Sequence, residues 1–292
     1  MSYDVNGKTV FVTGAARGIG AESARRLHSK GANVALVGLE PDELEHLAAE
    51  LGDRAAAFEA DVTDADALEA AVDGAVERFG GIDVAIANAG INMSGTIAKG
   101  RVEAIERVLE VNLMGVWRTD RAVLPQIIER EGYLLNIASL AAASHAPMMG
   151  PYATAKAGVE ALSNCLRQEL ALTGARVGCA YFGFIDTDLV RAGFEEPSTQ
   201  VMRKEMPSFL TKTAPLSKAA DAIEDGVERR AARVWAPRFV GPILALRGIL
   251  QPLTERRAMK SGHLAEALRL ADPEQGGGER DDPVLGASAA GR

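Results

Sequence analysis

Apolar positions along the first two thirds of the chain follow two rhythms that take turns. Short, continuous runs of β-branched and apolar residues at 9–13, 33–37, 55–60, 83–87, 134–137 and 176–182 read as buried strands, each four to seven residues long. Between them apolar residues recur at helical spacing over 20–30, 40–51, 66–79, 102–128 and 152–172. Strands alternating with helices predict a parallel sheet covered on both faces. Right-handed crossovers turn that pattern into a doubly wound α/β fold of the Rossmann type, which binds ligands beyond the carboxyl ends of its strands.

The rhythm breaks after Thr187. Residues 188–216 are polar and punctuated by Pro197, Pro207 and Pro215, which predicts a helical flap or loop. An amphipathic helix is expected over 219–230. The expected organisation is a catalytic domain over 1–232 that includes the flap, a basic amphipathic helical extension over 233–270, and a disordered tail over 271–292 that is poor in large apolar residues.

Composition narrows the function classes. With 292 residues, 47% of them hydrophobic, a sizeable core can be buried. A formal charge of −8 argues against a nucleic-acid binder. Cys165 and Cys179 make neither a disulfide framework nor a zinc site, and no metal is expected. Residues 1–8 read as neither signal nor transit peptide, and no apolar run reaches the ~18 residues of a membrane span, so the expected location is the cytoplasm.

The first strand runs into Thr13-Gly14-Ala15-Ala16-Arg17-Gly18-Ile19-Gly20. Glycines let the backbone turn sharply and approach a pyrophosphate, and the helix that follows offers free N–H groups. Asp61-Val62 follows the third strand, where a carboxylate can accept from an adenine amino group or can cap the next helix. Asn88-Ala89-Gly90 ends the fourth strand, either as a surface for a dinucleotide or as a simple turn. At the end of the second strand, Val37-Gly38-Leu39-Glu40, glycine stands where an acid for the ribose 2′-OH is expected, and Glu40 comes two residues later. Arg17 can reach a 2′-phosphate, but no second base stands at Leu39; NAD(H) is favoured over NADP(H).

Tyr152-Ala153-Thr154-Ala155-Lys156 opens a helix, and four residues of helix put both functional side chains on one face. An ammonium beside the phenol, with a cationic nicotinamide ring, favours the phenolate and brings a pKa of about 10 towards the range useful for proton transfer. Ser139 closes the strand 134–137 and can hold a substrate oxygen. Asn112, in an otherwise apolar helical stretch, needs partners if buried; it either binds a proton-relaying water or satisfies a helix irregularity.

Thr13-Gly14-x-x-x-Gly18-x-Gly20, Asn88-Ala89-Gly90, Asn112, Ser139 and Tyr152-x-x-x-Lys156, in this order, resemble the motif set of the short-chain dehydrogenase/reductase family over roughly 7–187. The gap between Gly14 and Gly18 resembles the single-domain branch. The resemblance implies an NAD(P)-dependent oxidoreductase acting on a secondary alcohol or ketone. It implies Tyr152 as general acid/base, Ser139 orienting the substrate oxygen, Lys156 on the nicotinamide ribose lowering the tyrosine pKa, and Asn112 anchoring a relay water, with Tyr152 and Lys156 both counted among the cofactor-binding residues. Ile185 and Thr187 match positions that contact the carboxamide. It also implies a homodimer or homotetramer assembled through the helices at 102–128 and 152–172. Phe182-Gly183 replaces the usual Pro-Gly, which leaves the backbone path there open, and Ala87-Asn88 replaces the commoner Asn-Asn. The alternative from another class is a non-catalytic nucleotide sensor or scaffold on the same fold, and a third reading is elimination or isomerisation.

A small-molecule substrate of lipophilic character is expected. His145, Met148 and Met149 between Ser139 and Tyr152 are candidate lining, and Phe184, Val190, Phe194 and Met202 a candidate lid. Residues 229–260 hold eight Lys/Arg against one acid, Glu255, a net +7 interleaved with apolar residues. Within it, an amphipathic helix is expected over 239–253, started or broken near Pro242. Three readings of 233–260 stay open: a peripheral membrane contact, a subunit contact, or a cap over the substrate pocket.

Overall fold

A strand buried on both faces must be apolar at every position, and the first strand, β1 (Thr9–Thr13), is. In the computed structural model, which describes residues 2–204, 206 and 211–272, Val10 and Val12 of β1 enter one core layer and Phe11 the other. Six further strands pair with it: β2 (Asn33–Gly38), β3 (Ala55–Glu59), β4 (Val84–Ala87), β5 (Tyr133–Ile137), β6 (Arg176–Phe182) and β7 (Arg233–Ala236). All neighbours are parallel, in the order β3-β2-β1-β4-β5-β6-β7. The order reverses between β1 and β4, and a crevice opens there beyond the strand ends.

Helices cover both faces. α1 (Gly18–Ser29) and α2 (Pro41–Leu51) bury Leu27, Leu44 and Leu47 in the layer of Val10 and Val12. α3 (Ala65–Phe79), ended by Gly80 in the left-handed region, puts Ala71 and Val72 in the layer of Phe11. The next helical stretch is not the single helix expected over 102–128. It is α4 (Val102–Leu109), a π turn (Glu110–Met114) and α5 (Gly115–Glu129), and Asn112 sits in the π turn. α6 (Gly150–Glu169) then carries the Tyr-Lys pair.

The chain leaves β6 into α7 (Asp188–Glu195) and α8 (Pro197–Arg203), the helical flap expected over 188–216. α9 (Leu216–Arg229) returns Ile223 and Val227 to the first core layer. The strand β7 follows, so the extension does not begin at 233: residues 233–236 belong to the sheet, with Val234 and Ala236 inward and Arg233 and Trp235 outward. The run is too short, and too broken by arginine, for its period to be read from the sequence. The extension is α10 (Val240–Met259) and α11 (Gly262–Leu270). Ala271 and Asp272, assigned to the tail by composition, are packed; residues 273–292 lie outside the described residues. Among the described residues no helix is long and apolar enough to cross a membrane, and no cluster of metal-ligating side chains occurs.

Candidate active site

The crevice is a cleft of about 1130 Å³. Its floor at one end is the turn from β1 into α1. Gly14 and Gly18 take φ values of +64° and +59°, which only glycine adopts without strain. Two bonds staple β4 to this turn: Asn88 Nδ2 donates to the carbonyls of Thr13 (3.0 Å) and Gly14 (3.2 Å). The backbone N–H groups of Asn88 and Ala89 donate in turn to Thr13 Oγ1. Asn88 thus positions the turn. Gly20 lies behind it, since a Cβ there would stand 2.2 Å from the Gly14 carbonyl oxygen; it is the one expected cofactor position that does not line the cleft. The first turn of α1 holds no acid and its N-cap, Arg17, makes no capping bond, so its orphan N–H groups are left for an anion. A Cβ on Gly18 would meet nothing nearer than Thr187 Cγ2 at 3.7 Å. The cradle has room for a pyrophosphate.

At the end of β2, Gly38, Leu39 and Glu40 line the cleft with Arg17. Arg17 Nη2 donates to Glu40 Oε1 at 2.5 Å, which commits the one base on this wall to the acid beside it. Farther along, Asp61 and Val62 form the wall beside Ala89 and Gly90. Asp61 is not the cap of α3; Asp64 is, accepting from Asp66 N and Ala67 N. Asp61 accepts instead from Thr63 N (2.8 Å) and Arg107 Nη2 (3.0 Å). Although partial burial opposes ionisation, these bonds hold its carboxyl below the usual range.

Asn112, Ser139, Tyr152 and Lys156 line the same cleft. Lys156 is buried and donates to the Ile137 carbonyl at 2.8 Å; its Nζ stands 5.7 Å from the Tyr152 ring centroid. Burial pulls the ammonium down to about 8. Burial also pushes the Tyr152 phenol above its ordinary value, and its bond with Ser139 recovers only part. Within the polypeptide alone desolvation sets the direction; the lowering by Lys156 is expected beside a cationic nicotinamide ring and belongs to the loaded cleft. Ser139 Oγ accepts from Ala141 N at 3.1 Å and faces the Phe182 carbonyl at 3.5 Å. The Asn112 amide donates to the carbonyls of Ile91 (2.8 Å) and Val108 (2.9 Å), while its Oδ1 is buried without a partner. A Cβ on Gly90 would stand 2.7 Å from that oxygen. Both readings of Asn112 have support: the π turn is the irregularity, and the orphan acceptor has the chemistry to hold a water.

The family model described as short chain dehydrogenase matches residues 8–198. The chain belongs to the short-chain dehydrogenase/reductase family. It is similar to 3beta-hydroxysteroid dehydrogenase 1 of Eggerthella lenta, 34% identical over 229 residues, 76% of this chain and 87% of that one. The 3-oxoacyl-(acyl-carrier-protein) reductase of Vibrio cholerae is 30% identical over 200 residues, covering 68% of this chain and 82% of its own. Among solved structures, 3-ketoacyl-(acyl-carrier-protein) reductase of Brucella melitensis, in complex with NADH, superposes with a TM-score of 0.71 at 26% identity over 80% of this chain and 97% of that one. As a short-chain dehydrogenase/reductase, the protein is an oxidoreductase.

The departures from the family pattern leave this short-chain dehydrogenase's backbone in register. At Phe182-Gly183, Gly183 N donates to the Ala236 carbonyl of β7 at 2.9 Å, so the sheet pairing runs to the end. Ile185 is buried, Thr187 caps α7, and both stand on the cleft wall. The substrate side differs from the expected lining. His145 is exposed and bonded to Gln251 through its backbone, and Met148 is buried with Val201 and Ala267. Neither His145, Met148 nor Met149 lines the cleft; Met93 does. Of the expected lid, Val190 faces the cleft, while Phe184 and Phe194 pack edge to face at 4.8 Å and stiffen α7. Sequence reasoning missed the roof. Leu270, Ala271 and Asp272 line the cleft at the end of α11, which packs on α8, and the buried Asp272 carboxylate takes an ion pair from Lys99. Their one signal was the Ser261 cap, accepting from His263 N, which marks a helix start just before them.

Proposed function

We propose that the protein interconverts a lipophilic secondary alcohol and its ketone with NAD(H), Tyr152 carrying the proton. The observation that supports this most is the convergence of Tyr152, Ser139, Lys156 and Asn112 on one wall of a cleft whose other end is the glycine cradle. A bound nicotinamide supplies or takes up the hydride. Ser139 and Tyr152 hold the substrate oxygen between two hydroxyls. In reduction Tyr152 gives its proton to that oxygen; in oxidation it first passes its own proton to the water at Asn112 and, as phenolate, takes the hydroxyl proton. Burial keeps the phenol neutral, the form that donates. Lys156, fixed by Ile137, has two N–H donors left for the ribose, and the orphan Asn112 oxygen holds the water through which Tyr152 is reprotonated. The Arg17–Glu40 pair supports NAD(H), since a 2′-phosphate would meet Glu40 and find Arg17 engaged. Both named relatives and the wall of Ile91, Met93, Val111, Leu189, Val190 and Leu270 support a lipophilic substrate.

The intact tetrad disfavours a sensor or scaffold. Exposed Val102, Trp117 and Ile128 on α4 and α5 support assembly with a second copy, the homodimer or homotetramer implied by the family. The test is a panel of steroid, retinoid and acyl-chain alcohols and ketones with NAD(H) and NADP(H), read at the absorbance of the reduced nicotinamide. The expected result is turnover, higher with the lipophilic members and NAD(H). Nicotinamide binding with no turnover would support the sensor, and substrate loss without net change in reduced nicotinamide would support elimination or isomerisation.

A further inference from the structure

A helix docked on a globular domain ordinarily shows apolar residues inward and polar residues outward. α10 does not. Its inner face is fixed by three contacts: Val240 is buried, Arg247 Nη1 donates to Glu160 on α6 at 2.6 Å, and Gln251 Oε1 accepts from His145 N at 2.9 Å. On the opposite side, at about 100° per residue, Pro242, Leu246, Ile249 and Leu253 form one stripe. Leu246, Ile249 and Leu253 are 51%, 66% and 55% exposed. The expectation of a singly amphipathic helix is therefore corrected: apolar residues occupy both sides, one packed and one bare.

One turn on, the same arc of about 100° carries Arg256, Arg257 and Lys260. Among the described residues no ion pair engages these three, and with Ser261 and Gly262 they line one open depression at the turn into α11. The helix's one acid, Glu255, turns aside and accepts from Gln251 Nε2 at 2.8 Å. No acid stands on the bare arc.

We infer that this arc is a docking face for an anionic lipid surface, with the leucine–isoleucine stripe entering the interface and the three cations on the headgroups. Charge complementarity selects this occupant. A second copy of the same face would bring cations and apolar stripe but no acid, leaving the cations unpaired. The full chain is formally −8, so without these three cations the remainder is −11 and is repelled by an anionic surface, which favours approach through this face. α10 leads through Ser261 into α11, whose last turn lines the cleft, so the docked face is one short helix from the substrate mouth. A lipophilic substrate can then pass from the bilayer to the cleft. That last step rests on the proposed function; the docking does not.

The test is flotation of the full chain with vesicles of phosphatidylcholine alone and of phosphatidylcholine mixed with phosphatidylserine, at low and high salt. Binding is expected on the mixed vesicles and should weaken with salt. R256Q/R257Q/K260Q should weaken it on the order of a hundredfold, from about 1 kcal/mol per cation near such a surface. I249D should abolish it while keeping the melting temperature, because the side chain is exposed. No flotation of the full chain on mixed vesicles, or flotation unmoved by the triple substitution, overturns the inference. So does I249D yielding a smaller assembly in solution from a wild-type chain that does not float, which would make the face a subunit contact. None of these readouts needs turnover, so they stand apart from any failure of the enzymatic reading.

Discussion

The two ends of the cleft are built in opposite ways. The cofactor end, from the glycine cradle to the catalytic wall, takes most of its chemistry from short stretches: a turn between adjacent elements, with Gly14, Arg17 and Gly18 within five residues and Asn88 stapled beneath it, and Tyr152 and Lys156 one helical turn apart. The substrate end is made of parts brought together across the chain. Lys99 meets Asp272 over a separation of 173 residues, and Val201 of α8 shares a cluster with Met148 and Ala267. The matched family region ends at 198, before the roof's second half begins. On the proposed function, chemistry is set at one end and selectivity at the other, and substitutions at the two ends should separate kcat from KM.

The largest effect belongs to the short-range end. Lys156→Ala removes the ribose donor and leaves the buried Ile137 carbonyl without its bond, so kcat/KM should fall by about 10³ and nicotinamide should bind more weakly. Titration of nicotinamide fluorescence alongside initial rates checks both; full binding with lost turnover would remove Lys156 from the binding site.

Behind this wall lies a buried acid that the chemistry does not use. Asn136 Nδ2 donates to Asp120 Oδ2 at 2.8 Å, while Asp120 Oδ1 and Asn136 Oδ1 have no partner. Burial pushes the Asp120 carboxyl up to about 8. A folded-state pKa raised above the unfolded value means that the folded protein holds a proton the unfolded chain has released. Stability should therefore fall as pH rises from about 4 to about 8, at most by about 1.4 kcal/mol per pH unit. Asp120→Asn keeps the shape and supplies a donor for the orphan acceptor. Its stability relative to wild type should grow between pH 5 and 6.5, below the range in which Lys156 titrates. Urea midpoints at those two values check this, and a difference that does not change with pH would contradict it.

Two smaller effects divide the cleft. Glu40→Ala frees Arg17 and removes a repulsion, so the ratio of kcat/KM for NADP over NAD should rise by about tenfold. An unchanged ratio would mean that the pair does not face the ribose. Asp272→Asn weakens the latch to the half-exposed Lys99, and KM for a lipophilic substrate should rise by about two- to fivefold with kcat nearly unchanged. A matching fall in kcat would place the roof in the chemistry rather than in selection.

The same contrast explains what could be read from the sequence. Six strands were legible within a residue or two because each is a continuous apolar run between turns; that Asn112, Ser139, Tyr152 and Lys156 line one cleft was expected from their resemblance to the family's motif set. The π turn was legible only as one of two readings of Asn112, since a polar residue in an apolar helical stretch marks an irregularity without giving its kind. β7 was hidden by Arg233 and by an exposed Trp235, as suits an edge strand with one wet face. The lining of the substrate end was misplaced on His145 and Met148 because nearness to Tyr152 in sequence is not nearness in the cleft. Asp272 was lost to a composition argument that cannot see a partner far away in the chain. The direction of the tyrosine's pKa within the polypeptide alone follows from desolvation, which depends on burial and cannot be counted from spacing.

The claim at the centre is that the Tyr152 hydroxyl moves the proton and that the nucleotide is held without it. Tyr152→Phe measures it directly, by turnover of one confirmed substrate beside a nicotinamide titration of the same preparation. A loss of about 10²- to 10⁴-fold in kcat with nicotinamide affinity within a few-fold of wild type is the predicted result. Turnover retained within tenfold would contradict the assignment of Tyr152 as the acid/base.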